Sequence, residues 1–166
     1  MITDLVQIKR YGEKQREENR RFRAWMKHHN FAERRFKAIA QEAEDAVDCM
    51  ACANCCRVAT TQVNERDIER LARYLGVRVS DFLRDYTVEN EEGRVLKRGQ
   101  DGCVFLTGNL CSVYEARPQT CQLFPHLVKG NGSLLSRMWH MPDRAVYCPI
   151  VFNTLEQFKT ETGFRK

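Results

Sequence analysis

Apolar positions in the first 46 residues recur at helical spacing. The stretch contains no proline, and only Gly12 interrupts it. Phe22, Trp25, Met26 and His29 share one face of a 3.6-residue repeat, as do Phe36, Ile39 and Ala40. The pattern predicts helix over most of 1–46, broken at "HHNFAE" (28–33) with Asn30 as a cap. A second amphipathic run follows in "NERDIERLARYLG". Asn64 stands at its start, Ile68, Leu71, Ala72 and Leu75 form its apolar stripe, and Gly76 stops it. Ser80 then caps a shorter helix with Phe82, Leu83 and Tyr86.

From Val88 to Tyr114 the pattern turns to strand. "RVLKR", "GCVFL" and "LCSVY" are β-prone runs separated by "GQDG" and "TGN", which predicts small antiparallel hairpins. "EARPQTCQLFP" reads as a turn leading into one helical turn, with Pro118 preset for the first helical position and Pro125 ending it. "LVKGNGSLLSRMWH" reads as a further hairpin, and "YCPIVFNTLEQFKTETG" as a closing helix after Pro149. The expected fold class is α+β: an N-terminal helical extension, 1–46, before a small irregular domain, 47–166. That domain would have several helices and short antiparallel hairpins, stabilised by metal.

Composition sharpens this picture. With 43% hydrophobic and 30% charged residues the chain has the make-up of a folded domain. No run of about 18 apolar residues is present, so no membrane-spanning helix is expected. The N-terminus lacks a basic region followed by an uninterrupted apolar core, so no secretory signal is read there. The expected location is cytoplasmic, where thiols stay reduced and disulfides are rare. The net charge of +5 suggests a polyanionic partner, but it counts every cysteine as neutral. Eight thiolates offset by two metal centres bring it down to about +1, which argues against nucleic acid. Residues 1–46 carry 11 Lys/Arg against 8 Asp/Glu. They read as an amphipathic segment that packs on the domain, or that serves a protein partner or self-association.

The chemistry lies in the cysteines. Four of the eight fall in "CMACANCC": Cys49, Cys52, Cys55 and Cys56. A CxxC turn aims two sulfurs at one point, and in a reducing compartment such spacing points to metal. The first three positions match the bacterial ferredoxin run C-x2-C-x2-C; the fourth does not. A remote Cys148–Pro149 pair could supply the missing element. The spacing is neither the C-x3-C-x2-C of radical SAM enzymes nor two CxxC pairs of a zinc ribbon. In extended backbone Cys55 and Cys56 point opposite ways, so they are expected to serve different centres, or one to serve while the other is spare. The expected partition puts Cys49, Cys52, Cys55 and Cys148 around one, and Cys56, Cys103, Cys111 and Cys121 around the other. The expected cofactor is an iron–sulfur cluster of the [4Fe–4S] type, with Zn2+ as the alternative.

Other candidates rank lower. His126 is weighed as a substitute ligand but reads better as a half-buried residue, His140 as packing beside Trp139 and Met141, and His28 and His29 as solvent-facing. Phe105, Tyr114 and Phe124 read as shielding for a centre or as core, and Glu115 with Arg117 as a charge pair supporting a turn. No Ser/His/Asp or paired-carboxylate constellation is legible, so no catalytic residues are assigned.

Taken in order, "CMACANCC", "RDIERLARYLGV", "SDFLRDY", "GCVFL", "CSVYEARPQTCQLFP" and the late Cys-Pro resemble the YkgJ-type cysteine-cluster proteins, the CxxCxxCC family of zinc- or iron-chelating domains. The resemblance spans roughly residues 49–150 and leaves 1–46 outside. It implies metal chelation by the eight cysteines. Gln122 departs from the pattern, since the family often has arginine there. A similar motif occurs in flagellin lysine N-methylases, which are much longer; this chain has no Rossmann glycine fingerprint for methyl transfer on its own. Three functions follow as expectations: an iron–sulfur protein in electron transfer, redox or iron sensing; a zinc-stabilised interaction module; and an accessory component of a cluster-dependent modifying enzyme.

Overall fold

A computed structural model describes residues 1–91, 93–130 and 132–164. In chain order the helices are α1 (Leu5–Met26), α2 (Glu33–Asp45), α3 (Cys49–Cys52), α4 (Asn54–Val58), α5 (Glu65–Leu75), α6 (Val79–Tyr86), α7 (Gln119–Leu123), α8 (Leu134–Arg137), α9 (Met141–Arg144) and α10 (Pro149–Glu161). The strands β1 (Thr87–Asn90), β2 (Gly93–Leu96), β3 (Arg98–Gly99), β4 (Gly102–Cys103), β5 (Leu106–Thr107) and β6 (Leu110–Cys111) pair in sequence as three antiparallel hairpins. The class is therefore α+β. The chain forms two compact units, one of residues 1–48 with 124–166 and the other of 49–123.

The first unit is helical. Ile8, Phe22 and Met26 of α1, Phe36, Ile39 and Ala40 of α2, and Ile150, Val151, Leu155 and Phe158 of α10 make one buried cluster. Phe158 is its hub, edge-on to Phe22 at 6.1 Å and to Phe36 at 5.1 Å. The helices of 1–46 thus share a core with the C-terminal helix. Gly12 in mid-helix has a packing reason: a Cβ there would stand 2.5 Å from the Ala145 carbonyl oxygen and 2.6 Å from the Val146 Cα. The core also buries a charge. Lys159, 4% exposed, donates to Glu18 at 2.6 Å and pairs with Glu156.

Three local expectations for this unit differ from the structure. The break after α1 falls where expected, but α2 starts at Glu33 after Ala32, with no side-chain cap, so Asn30 caps nothing. Among the described residues of 127–140 there is no hairpin. Ser133 caps α8 by accepting from the Ser136 N–H, and a 3-10 turn, Met138–His140, follows. Leu134, Arg137 and Met138 are buried while Ser136 is exposed, the i, i+3, i+4 spacing of a helix; a strand would put Ser136 on the same face as Leu134 and Met138. The same turn pushes Trp139 and His140 outward, so His140 does not pack; Trp139 lies under the Arg23 guanidinium instead. His28 and His29 are exposed, as expected.

The second unit is built around α5. Asn64 and Asp67 form a reciprocal capping box at its start, and Gly76 ends it at φ +69°. Ile68, Leu71 and Ala72 pack with Phe82, Leu96, Phe105, Val113 and Ala116. The next helix, α6, begins one residue before Ser80, with Arg78 at the N-cap and no side-chain bond, so Ser80 does not cap it. Only β1–β2 is a hairpin of four-residue strands; β3–β4 and β5–β6 pair two residues each. The β-prone runs shorten because glycine turns at 99–102 and 107–110 leave few residues to pair.

Candidate metal centre

The "CMACANCC" segment is two helical turns, α3 and α4, joined by Ala53 at φ +46°. Neighbours on a helix diverge by about 100°, not 180°. Cys55 and Cys56 therefore do not point apart as the extended-backbone expectation has it: the Cys55 thiol hydrogen-bonds the Cys56 sulfur. Cys49 is exposed, while Cys52, Cys55 and Cys56 are half-buried.

Three other segments bring one cysteine each toward α4. The β3–β4 hairpin places Cys103 opposite Arg98, and Arg98 donates to the carbonyls of Arg57 and Ala59 just past the thiol pair. Gly102, at φ +129°, lies so close that a Cβ would meet the Cys56 oxygen at 2.6 Å and the Arg57 Cα at 2.7 Å. The β5–β6 hairpin carries Cys111, paired with Leu106. Its tip is fastened to the cysteine loop twice. Arg57 donates to the Cys52 carbonyl at 3.0 Å, the Gly108 carbonyl at 3.1 Å and Asn109 Oδ1, and Asn109 Nδ2 donates to the Ala51 carbonyl at 2.7 Å. Cys121 sits on α7, whose first turn bonds the Pro118 carbonyl; its thiol reaches Thr61 Oγ1 at 3.9 Å.

These thiols feel one another. Ionised Cys56 raises the pKa of Cys103, Cys111 and Cys121, and Cys103 and Cys111 add to the effect on Cys121. Cys56 is itself lowered to about 6, first by the Cys55 hydrogen bond and then by the Arg57 and Arg117 cations. Burial raises the other three, Cys121 to about 12. Against that, the Phe105 N–H bonds the Cys103 sulfur and the Val113 N–H the Cys111 sulfur, both from two residues on. Such N–H···S bonds favour the thiolate. The metal-free site therefore has one thiolate-prone sulfur and three burial-raised ones, whose protons a metal would displace.

Four sulfurs with no carboxylate among them suit a soft metal. Among the described residues no three His, Cys, Asp or Glu side chains already stand in metal-holding geometry. What the backbone fixes is the approach of the segments; the thiols retain rotation about χ1. None of the eight cysteines is disulfide-bonded. Cys148 lies in the other unit, 5% exposed, at the N-cap of α10. There Arg144, whose pKa is lowered by burial, interacts with Tyr147 and Cys148 and donates to the Pro125 carbonyl at 3.4 Å.

His126 is half-buried and Phe105 is core, both within the expected readings, while the Glu115–Arg117 pair is replaced by another contact. His126 belongs to the first unit, half-buried beside Phe124 at 6.2 Å. Phe105 is core, 4% exposed and stacked 5.2 Å from Tyr86. Arg117 lies over the Tyr114 ring at 4.1 Å, and no Glu115–Arg117 ion pair occurs among the described residues. Gln122, where the pattern departs, donates to the Arg117 carbonyl at 2.8 Å and closes the turn before Cys121. Sequence reasoning missed Arg57, Gly102 and Asn109. The cross-segment partners of Arg57 and Asn109 lie 51 to 58 positions away and Gly102 acts through a close backbone approach, so only the adjacency of Arg57 to the thiol pair could have marked one of them.

Among the described residues, no helix is long and apolar enough to cross a membrane. No solved structure matches the chain. The "Uncharacterized protein MJ0939" of Methanocaldococcus jannaschii is 30% identical over 115 residues, covering 63% of this chain and 37% of that protein. The chain thus spans little more than a third of the length of the curated relative it matches. The family model described as "Putative zinc- or iron-chelating domain" matches residues 48–149, which take in all eight cysteines. With well over half its length so matched, the chain belongs to the CxxCxxCC family.

Proposed function

We propose that the protein binds metal through Cys49, Cys52, Cys55, Cys56, Cys103, Cys111, Cys121 and Cys148, and that the metal is iron held as an iron–sulfur cluster with an electron-transfer, redox or iron-sensing role. The observation that supports this is the shared electrostatic neighbourhood of Cys56, Cys103, Cys111 and Cys121, drawn from four segments. A bound cluster would supply a one-electron couple there. The chain's own part is to hold the sulfurs: the Phe105 and Val113 N–H groups hydrogen-bond two of them, and Arg57 and Arg117 set positive charge beside a third. Such hydrogen bonds and charges tune a centre's potential. Cys49, Cys52 and Cys55 are further donors on the loop that carries Cys56, and Cys148 is a donor in the other unit. The thiols require a reducing compartment, which accords with a cytoplasmic location.

A zinc-stabilised interaction module is the second reading, since the all-sulfur donor set suits a closed tetrahedral Zn2+ site equally well. Anaerobic purification followed by iron, sulfide and zinc quantification separates the two. The iron reading expects a brown protein with stoichiometric iron and sulfide. A colourless protein with full zinc and no iron refutes it in favour of the second, and a protein with neither refutes both.

A further inference from the structure

The sequence pattern presents "ERDIERL" as scaffold, yet two of its polar residues reach the turn that carries Cys121. Asp67 is 2% exposed. Its carboxylate accepts the Asn64 N–H at 3.3 Å, the Gln119 N–H at 3.0 Å and Arg70 Nη2 at 2.5 Å. Arg70 continues across, donating to the Ala116 carbonyl at 3.3 Å and the Arg117 carbonyl at 3.0 Å. Capping α5 and pairing with Arg70 would each be ordinary for Asp67. What neither explains is the Gln119 N–H, 52 residues on, which is the first residue of α7.

Three backbone groups at 116, 117 and 119 are thus held by one ion pair, of a buried Asp67 and a half-buried Arg70. From there the geometry is local. The Cys121 N–H bonds the Pro118 carbonyl at 2.9 Å, so the helical turn places Cys121 as a rigid continuation of the held segment. Arg117, whose cation lies beside Cys56 and Cys111, has its carbonyl fastened by the same Arg70. Arg70 gives the buried Asp67 carboxylate one bond, from Nη2, and uses Nε and Nη2 on the two carbonyls, so losing Arg70 frees the turn and leaves the Asp67 charge uncompensated.

We infer that Asp67 and Arg70 are positioning residues for the fourth thiol of the Cys56 group: they hold Cys121, and the Arg117 cation that faces Cys56 and Cys111, in register with Cys56. The inference deepens the metal reading and rests on it for its function, but the positioning itself can be read without metal.

The test is site-resolved alkylation of the full chain, anaerobic and at neutral pH, with each cysteine followed by mass spectrometry. It is run metal-free and after titration with Zn2+ as probe. Asp67→Asn keeps the shape but removes the charge that holds Arg70. Arg70→Lys keeps the charge but cannot span two carbonyls, and since Arg70 is partly exposed it should fold. The control is Asp81→Asn, which breaks exposed pairs with Arg78 and Arg84 on α6, away from the turn. In the metal-free protein both test variants are expected to speed Cys121 labelling about tenfold while Cys103 changes less than twofold, and the control should change neither. With Zn2+, protection of Cys121 should weaken more than that of Cys103 and Cys111. Unchanged Cys121 labelling in a folded Arg70→Lys protein overturns the inference, and so does an equal rise at all seven cysteines of residues 49–123, which would mean general loosening. If the wild type takes up neither zinc nor iron, the metal reading fails while the metal-free labelling still decides the positioning.

Discussion

Replacing Gly102 by alanine tests whether the β3–β4 hairpin truly rests on the cysteine loop. Two costs add. A residue with a side chain held at φ +129° pays about 1–3 kcal/mol for a conformation open mainly to glycine. The new Cβ also meets backbone, the Cys56 oxygen at 2.6 Å, the Arg57 Cα at 2.7 Å and the Cys56 carbon at 3.2 Å. Backbone cannot swing aside like a side-chain tip, so a further overpacking cost of about 1–3 kcal/mol follows. The expected loss is about 4 kcal/mol, a large share of the roughly 5–15 kcal/mol that holds a domain folded.

Two other glycines isolate the terms. Gly93 has φ +102° but nothing within 4 Å of its Cβ position, so Gly93→Ala should show the conformational part alone, about 1–3 kcal/mol. Gly99 has neither strain nor neighbour, and Gly99→Ala should be neutral or gain about 0.5 kcal/mol from a less flexible unfolded chain. Urea unfolding of the reduced, metal-free protein, followed by circular dichroism, measures all three. Cysteine-resolved alkylation checks that Cys103 loosens with Gly102→Ala. Equal losses for Gly102→Ala and Gly93→Ala would refute the close approach, and a loss under about 0.5 kcal/mol for Gly102→Ala would refute the hairpin's placement.

Other outcomes follow from the same structure. Lys159→Met removes the buried cation facing Glu18 at 2.6 Å and should cost about 3–5 kcal/mol in urea unfolding; a loss below about 1 kcal/mol would mean that Glu18 is not buried as described. In the metal-free protein Cys56 should alkylate with a midpoint near pH 6 while Cys121, raised to about 12, stays slow at neutral pH. Because the folded value for Cys56 lies below that of an unfolded thiol, its contribution to stability is full above about pH 9 and fades as pH falls through about 6. Equal rates for the two cysteines at pH 7 would contradict this. Asn64→Ala removes the side chain that caps α5 and should cost about 1 kcal/mol, measured by the same unfolding; no change would mean that the capping box contributes nothing.

Local signals were well legible. Asn64 and Gly76 marked both ends of α5 because capping needs only residues within one turn. Pro149 marked the start of α10 for the same reason. The span 127–140 misled because glycines and a serine are turn residues in hairpins and helix entries alike, and the burial of Leu134, Arg137 and Met138 beside an exposed Ser136, which decides between them, is a tertiary fact. Strand lengths were overestimated because β-propensity describes a surface to pack on, and the two short hairpins have little of it.

The cysteine count and the 49–56 spacing are properties of the sequence alone, and they specified soft, clustered donors whatever the fold. Neighbouring thiols in "CMACANCC" are bound to be near because the chain between them is short. The grouping of Cys56 with Cys103, Cys111 and Cys121 was expected from a divergence of Cys55 and Cys56 that α4 does not have, and only tertiary structure decided that Asp67, Arg70, Arg57 and Gly102 bring those segments in. Their bonds join residues tens of positions apart. Loop closure over such lengths depends only weakly on which residues lie between, so nothing local in the sequence records which partner is met.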